Sequence, residues 1–135
     1  MVYLIYAAGS CSRFKFHYEI EHKGLLEING LSLIDHQLNW INLCEPKKVI
    51  IVVNTGHVKF INKLKSLQKK MPIKLIYNDD TISKNMKSFY LAKNEIQDDD
   101  VVFTTSDLYC DFRNIENFIH SDSKNKVLLD LDKSN

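Results

Sequence analysis

At 135 residues, 44% of them hydrophobic and none in repeats or long polar tracts, the chain has material for a single domain with one core. Eighteen basic residues against seventeen acidic ones leave a formal charge of +1, so no overall field draws it to nucleic acid or to an anionic membrane, and any anion site has to be local. The apolar runs are too short to span a bilayer and the N-terminus has no basic stretch leading into an apolar signal core, so the expectation is a soluble, cytoplasmic protein.

The first predicted strand covers residues 2–7 and runs into Ala7-Ala8-Gly9-Ser10-Cys11-Ser12-Arg13. Leu33, Ile34, Leu38 and Ile41 recur at helical spacing, and Trp40 in the same segment is expected to pack in the core or at its edge. A β-branched strand at 49–53 follows, then a helix marked by Val58, Ile61, Leu64 and Leu67, then a strand at 73–77. The next helix carries Met86, Phe89, Tyr90 and Lys93, and the strand at 101–105 leads into Ser106 and Asp107. A last strand is predicted at 127–131. Strands and helices alternate, and no Asn-Gly or Asp-Gly hairpin joins neighbouring members of this series, which points to crossover units around a mostly parallel sheet: an α/β, Rossmann-like three-layer sandwich. Asp98, Asp99 and Asp100, just before the fourth strand, read as a solvated turn.

In such open sheets ligands bind outside the carboxyl ends of the strands, which gives weight to the polar residues after the first and fourth strands. The run of small residues from Ala7 to Ser12 lets a flat base or a phosphate approach the main chain, and consecutive amides followed by Arg13 make an anion cradle. A tight strand exit with an ordinary surface arginine explains the loop equally well. It is neither a Walker loop nor a three-glycine dinucleotide fingerprint. The three cysteines, Cys11, Cys44 and Cys110, are widely spaced with no CxxC pair and fit reduced thiols. The five histidines show no compact metal-ligand spacing and fit surface or packing positions.

The stretch Ala7-Ala8-Gly9 through Ser12-Arg13-Phe14-Lys15, then His22-Lys23, Leu25-Leu26 and Asn29-Gly30, resembles the N-terminal signature of the nucleotidyltransferases that activate sugar phosphates and phosphocholine. It is most similar to the CTP:phosphocholine cytidylyltransferases, because His22 precedes the lysine where the sugar branch usually has proline. Tyr77-Asn78, Lys84-Asn85, Ser88-Phe89, Leu91-Ala92 and the segment 102–107 follow the family's order of motifs. The resemblance implies an in-line attack by an acceptor phosphate on the α-phosphorus of a nucleoside triphosphate, CTP, with release of pyrophosphate. It further implies that Ala7, Ala8, Gly9, Ser10 and Ser12 lie against the nucleotide and that Arg13 holds the outer phosphates. Lys23 would offset charge at the α-phosphate, Asn85 and Ser88 would sit near the nucleoside, and Asp107 would bind Mg²⁺, a hard cation suited to a carboxylate and phosphate oxygens. Two plainer readings stay beside these: Lys23 as a solvated surface residue, and Asp107 as the cap of a following helix.

The sequence departs from the family's pattern in two ways. Cys11 stands where the loop commonly has a second glycine. The family also runs longer, and the further part normally supplies a second metal-binding aspartate and much of the acceptor pocket; Asp130 and Asp132 are assigned no role in its place. Three expectations follow for the chain: an active cytidylyltransferase completed by a second copy in a homodimer, a non-catalytic nucleotide-binding remnant, and a truncated domain with only the fold.

Overall fold

A computed structural model of the chain describes residues 1–12, 19–80, 82, 84–122 and 124–127. Four parallel strands form the central sheet: β1 (Val2–Ala7), β4 (Lys48–Val53), β5 (Ile73–Tyr77) and β6 (Val101–Thr105), in the order β5-β4-β1-β6. A short hairpin, β2 (Glu27–Ile28) and β3 (Leu31–Ser32), lies between β1 and β4 in the sequence. The helices that fall wholly within the described residues are α1 (Leu33–Leu43), α2 (Val58–Leu67), α3 (Lys84–Ile96) and α4 (Phe112–His120). The predicted α/β class with a mostly parallel sheet is therefore what the chain adopts. The strand expected at 127–131 lies, apart from Val127, outside the described residues.

The central strands β1 and β4 are buried on both faces, which is why their sequences run apolar without alternation. One face carries Tyr3, Ile5, Val49, Ile51 and Val53 against Ile34, Leu38, Trp40 and Ile41 of α1, Phe60 and Leu64 of α2, and Ile115 of α4. Trp40 packs there as expected, meeting Tyr3 edge to face at 5.9 Å. The opposite face, with Val2, Leu4, Ile50 and Val52, is covered by Ala92 and Ile96 of α3. This cover leaves Phe103 of β6 50% exposed, stacked on Tyr6 and tilted against Phe89.

Local chemistry explains the element boundaries. Ser32 and Asp35 form a reciprocal capping box at the start of α1, and Lys63 pairs with Asp35 at 2.7 Å. Asn29 and Gly30 both have positive φ, 52° and 80°, as a two-residue hairpin of type I′ requires. This hairpin was not among the predicted elements. Helix α4, expected only as a helix of unstated bounds after Asp107, has its first turn capped by Asp111 accepting from the Arg113 amide. That cap corrects one expectation: the carboxylate starting the following helix is Asp111, and Asp107 is free of the task. The Asp98–Asp100 run behaves as a surface turn, with Asp99 paired to Lys47 and the Asp100 carbonyl accepting from Val2.

Candidate functional site

The carboxyl ends of β1 and β6 open onto a cavity of about 480 Å³, within the range of small-molecule sites. Nine of the ten residues singled out from the sequence line it: Ala7, Ala8, Gly9, Ser10 and Ser12 along one wall, Lys23 and Asp107 across from each other, and Asn85 and Ser88 at the start of α3. The tenth, Arg13, lies outside the described residues.

After β1, Ala8 is still buried in the core beside Ala92 and Ile96 of α3, while Gly9 and Ser10 are exposed. Among the described residues the side-chain hydrogen bonds of this loop are local, Ser10 with Ser12 and the Cys11 thiol with the Gly9 carbonyl. A Cβ built on Gly9 would meet nothing within 4 Å, so packing does not demand glycine here; a side chain would instead take up open space. Cys11, at the position where a glycine was expected, has a φ of 54°, a left-handed conformation that disfavours side chains.

Lys23 stands on a single 3-10 turn (Lys23–Leu25) that is fixed from several sides. Glu21 accepts from the amide of Phe60, which ties this segment to α2. His22 is buried, with its ring stacked on Phe60 at 3.8 Å and edge-on to His57 at 4.9 Å. Burial pushes the His22 pKa down to about 4; His57 adds to that depression, while the bond to Ala7 and the charges of Glu21 and Asp107 oppose it. His22 packs in the interior, and its ring also makes two hydrogen bonds, to the Ala7 carbonyl and from the Gly24 amide.

Asp107 sits in the turn after β6, and that turn is held from below by Gln37 of α1. The fully buried Gln37 amide donates to the carbonyls of Thr105 and Leu108, at 2.6 and 2.9 Å, on either side of Asp107. The Ser106 amide donates to the Tyr6 carbonyl. Lys23 Nζ then meets Asp107 Oδ2 at 2.9 Å, with both side chains more than a third exposed to the cavity. Burial alone would raise the Asp107 pKa, but hydrogen bonds from Lys23 and Thr105 and the Lys23 charge outweigh it and hold the carboxyl below its usual range. The carboxylate is therefore ionised at neutral pH. A pair this exposed adds at most about 1 kcal/mol to stability, so both ends remain available to a ligand.

On the third side, Asn78 at the end of β5 is buried and donates to the Ser88 hydroxyl at 3.1 Å, while its own carbonyl oxygen accepts from the Asp80 amide. Asn78, Asp80, Thr105 and Ser106 all line the cavity. Asn78, Thr105 and Ser106 fall in motif segments of the sequence to which no role was given, and Asp80 and Gln37 carried no expectation.

As a cation site the donor set is thin. Among the described residues no cluster of three or more histidines, cysteines and carboxylates comes together. Asp107, an ionised carboxylate on an open cavity, does suit Mg²⁺, which keeps several waters and takes its remaining oxygens from substrate phosphates. Zinc and other ions that want a closed protein shell do not fit.

A family model described as the MobA-like NTP transferase domain matches residues 3–128. A choline-phosphate cytidylyltransferase of Haemophilus influenzae is 33% identical over 96 residues, which is 70% of this chain and 40% of that enzyme. A choline-phosphate cytidylyltransferase of Streptococcus pneumoniae is 29% identical over 113 residues, 82% of this chain and 48% of that enzyme. Among solved structures, the inositol-1-phosphate CTP transferase from T. maritima superimposes with a TM-score of 0.72 at 14% identity, over 91% of this chain and 49% of its own. The chain thus spans about half or less of the length of these relatives. Among the described residues no helix is long and apolar enough to cross a membrane.

Proposed function

The chain belongs to the MobA-like NTP transferase domain family, and we propose that its cavity binds CTP with Mg²⁺ and passes the CMP group to a phosphorylated small acceptor such as phosphocholine or a sugar phosphate. The observation that carries this reading is the meeting of Lys23 and ionised Asp107, 2.9 Å apart, opposite a loop with open space above Gly9. A cation and an anion held side by side are neutral to each other until a ligand carrying both phosphate and metal separates their tasks.

In the proposed reaction an oxygen of the acceptor phosphate bonds to the α-phosphorus of CTP while the bond to the departing pyrophosphate breaks. No protein group needs to form a covalent bond; the demand is for alignment and for offsetting charge that spreads over the phosphate oxygens. Lys23 turns from Asp107 toward the α-phosphate, and the amides of residues 8–12 receive the outer phosphates together with Arg13. Asp107 holds the Mg²⁺, an ion that when bound neutralises charge on the triphosphate. The buried Asn78–Ser88 pair shapes the wall on the nucleoside side. The choice of CTP and of phosphocholine is supported by the names of the two sequence relatives and by the cytidylyltransferase character of His22-Lys23.

Release of pyrophosphate from CTP and Mg²⁺, measured with phosphocholine, sugar phosphates and no acceptor, tests the proposal. Release that depends on one acceptor supports it. CTP binding without release for any acceptor would restrict the chain to nucleotide binding.

A further inference from the structure

We infer that His22 is a positioning residue whose neutral ring, protonated on Nε2, links the carbonyl of Ala7 to the amide of Gly24 and so sets Lys23 in register with the loop that leaves β1. The inference rests on the reading of the cavity as a nucleotide site.

The ring's protonation follows from its partners. Gly24 N–H points at Nδ1 at 3.0 Å, so Nδ1 must be the acceptor and the single ring proton must lie on Nε2. From there it is donated to the Ala7 carbonyl at 2.9 Å. A second proton on Nδ1 would set two donors head to head. Only one of the two neutral tautomers, and not the cation, satisfies both bonds.

The surroundings are built for this arrangement. A Cβ on Gly24 would stand 2.7 Å from Phe60 Cε2 and 3.1 Å from His22 Nδ1, so glycine is what allows the amide to reach the ring. Phe60 stacks on one face of the imidazole, its own amide held by Glu21, which leaves the ring little freedom to turn. The two groups that His22 joins belong to different parts of the site. Ala7 is the last residue of β1, where the small-residue loop begins; Gly24 follows Lys23 in the 3-10 turn. A residue that merely filled the space would need the shape of the ring but neither nitrogen. Asp107 on the far side is set independently, through Gln37, so His22 acts on the Lys23 half of the pair.

Two measurements on the full chain test this. In nitrogen-15 NMR of the ring, with the signal assigned by its loss in a His22→Phe variant, the expected result is the neutral Nε2–H tautomer at pH 7. The Nδ1–H tautomer or a charged ring would overturn the inference. The second is a cycle of CTP affinities, with Mg²⁺, for the wild type, His22→Phe, Lys23→Ala and the double variant. His22→Phe keeps an aromatic ring against Phe60 and is expected to weaken CTP about tenfold, the weight of a well-made hydrogen bond. In the Lys23→Ala background the same change is expected to cost less than about twofold, because its effect passes through Lys23. His22→Asn, which returns an acceptor to the Gly24 amide, is expected to recover part of the loss and serves in place of the phenylalanine should that variant not fold. Equal losses in both backgrounds would leave His22 a packing residue and overturn the inference while the nucleotide site stands. No CTP binding by the wild type would instead remove the nucleotide reading, and the positioning role with it.

Discussion

The two walls that face each other across the cavity are built in opposite ways. Among the described residues the side-chain hydrogen bonds of residues 8–12 are local and the backbone of Cys11 is left-handed, whereas residues 21–26 are tied to β1, to α2 and to themselves through a buried imidazole, a carboxylate and two turn hydrogen bonds. The difference shows how a small site can combine close fit with fixed charge. An exposed loop offers its amides to phosphates, while the charged groups opposite are held in place.

The most drastic way to break the contrast is to remove the fixed wall's support. Phe60 is fully buried and stacks on His22, so Phe60→Ala is expected to cost about 3 to 5 kcal/mol in urea unfolding, the range for deleting a buried aromatic ring. Acid acts on the same wall. The folded-state pKa of His22 lies below its ordinary value of 6.5, so the unfolded chain takes up a proton that the folded one resists. Its contribution to stability is full above pH 6.5 and is lost as pH falls toward about 4. At roughly 1.4 kcal/mol per unit, the loss amounts to about 3 kcal/mol. Asp107 and Asp35, with depressed carboxyl pKa values, add their losses only below that window. The slope of stability between pH 6.5 and 4 should be markedly shallower in His22→Phe than in the wild type.

Lys23→Ala separates charge from scaffold. Stability should change by no more than about 1 kcal/mol, because the ion pair it removes is exposed. Nucleotide affinity should fall by about 1.5 to 3 kcal/mol, the worth of a hydrogen bond to a charged group, or roughly 10- to 100-fold by calorimetry. The smallest effect is expected in the loop after β1: Cys11→Gly relieves the left-handed strain at the cost of chain entropy, for a net gain of about 0.5 to 1 kcal/mol in thermal unfolding.

This contrast also divides what the sequence makes legible from what it hides. The four strands of the main sheet and helices α1 to α3 announce themselves through apolar runs and helical spacing. The β2–β3 hairpin does not, although Asn29-Gly30 is a strong turn signal, because two-residue strands are too short for any alternation. Helix α4 was equally open to reading in Phe112, Ile115 and Ile119, behind the Asp111 cap. In the site, the residues that line the cavity on the loops could be named from motif order. What holds the loops in place could not be read there: Gln37 acts on carbonyls 68 and 71 residues away, and His22, although it stands in a motif, bonds a carbonyl 15 residues away, and a buried polar side chain satisfied by distant backbone leaves no local pattern.

The most direct test of the nucleotide site is calorimetric titration of the chain with CTP, UTP, dTTP, ATP and GTP, with and without Mg²⁺, in the wild type and in Asp107→Ala. The expected result is saturable binding that prefers CTP, that Mg²⁺ strengthens in the wild type, and that loses the Mg²⁺ effect when Asp107 is removed. Failure to bind any nucleotide, or an equal Mg²⁺ effect in both proteins, would contradict it.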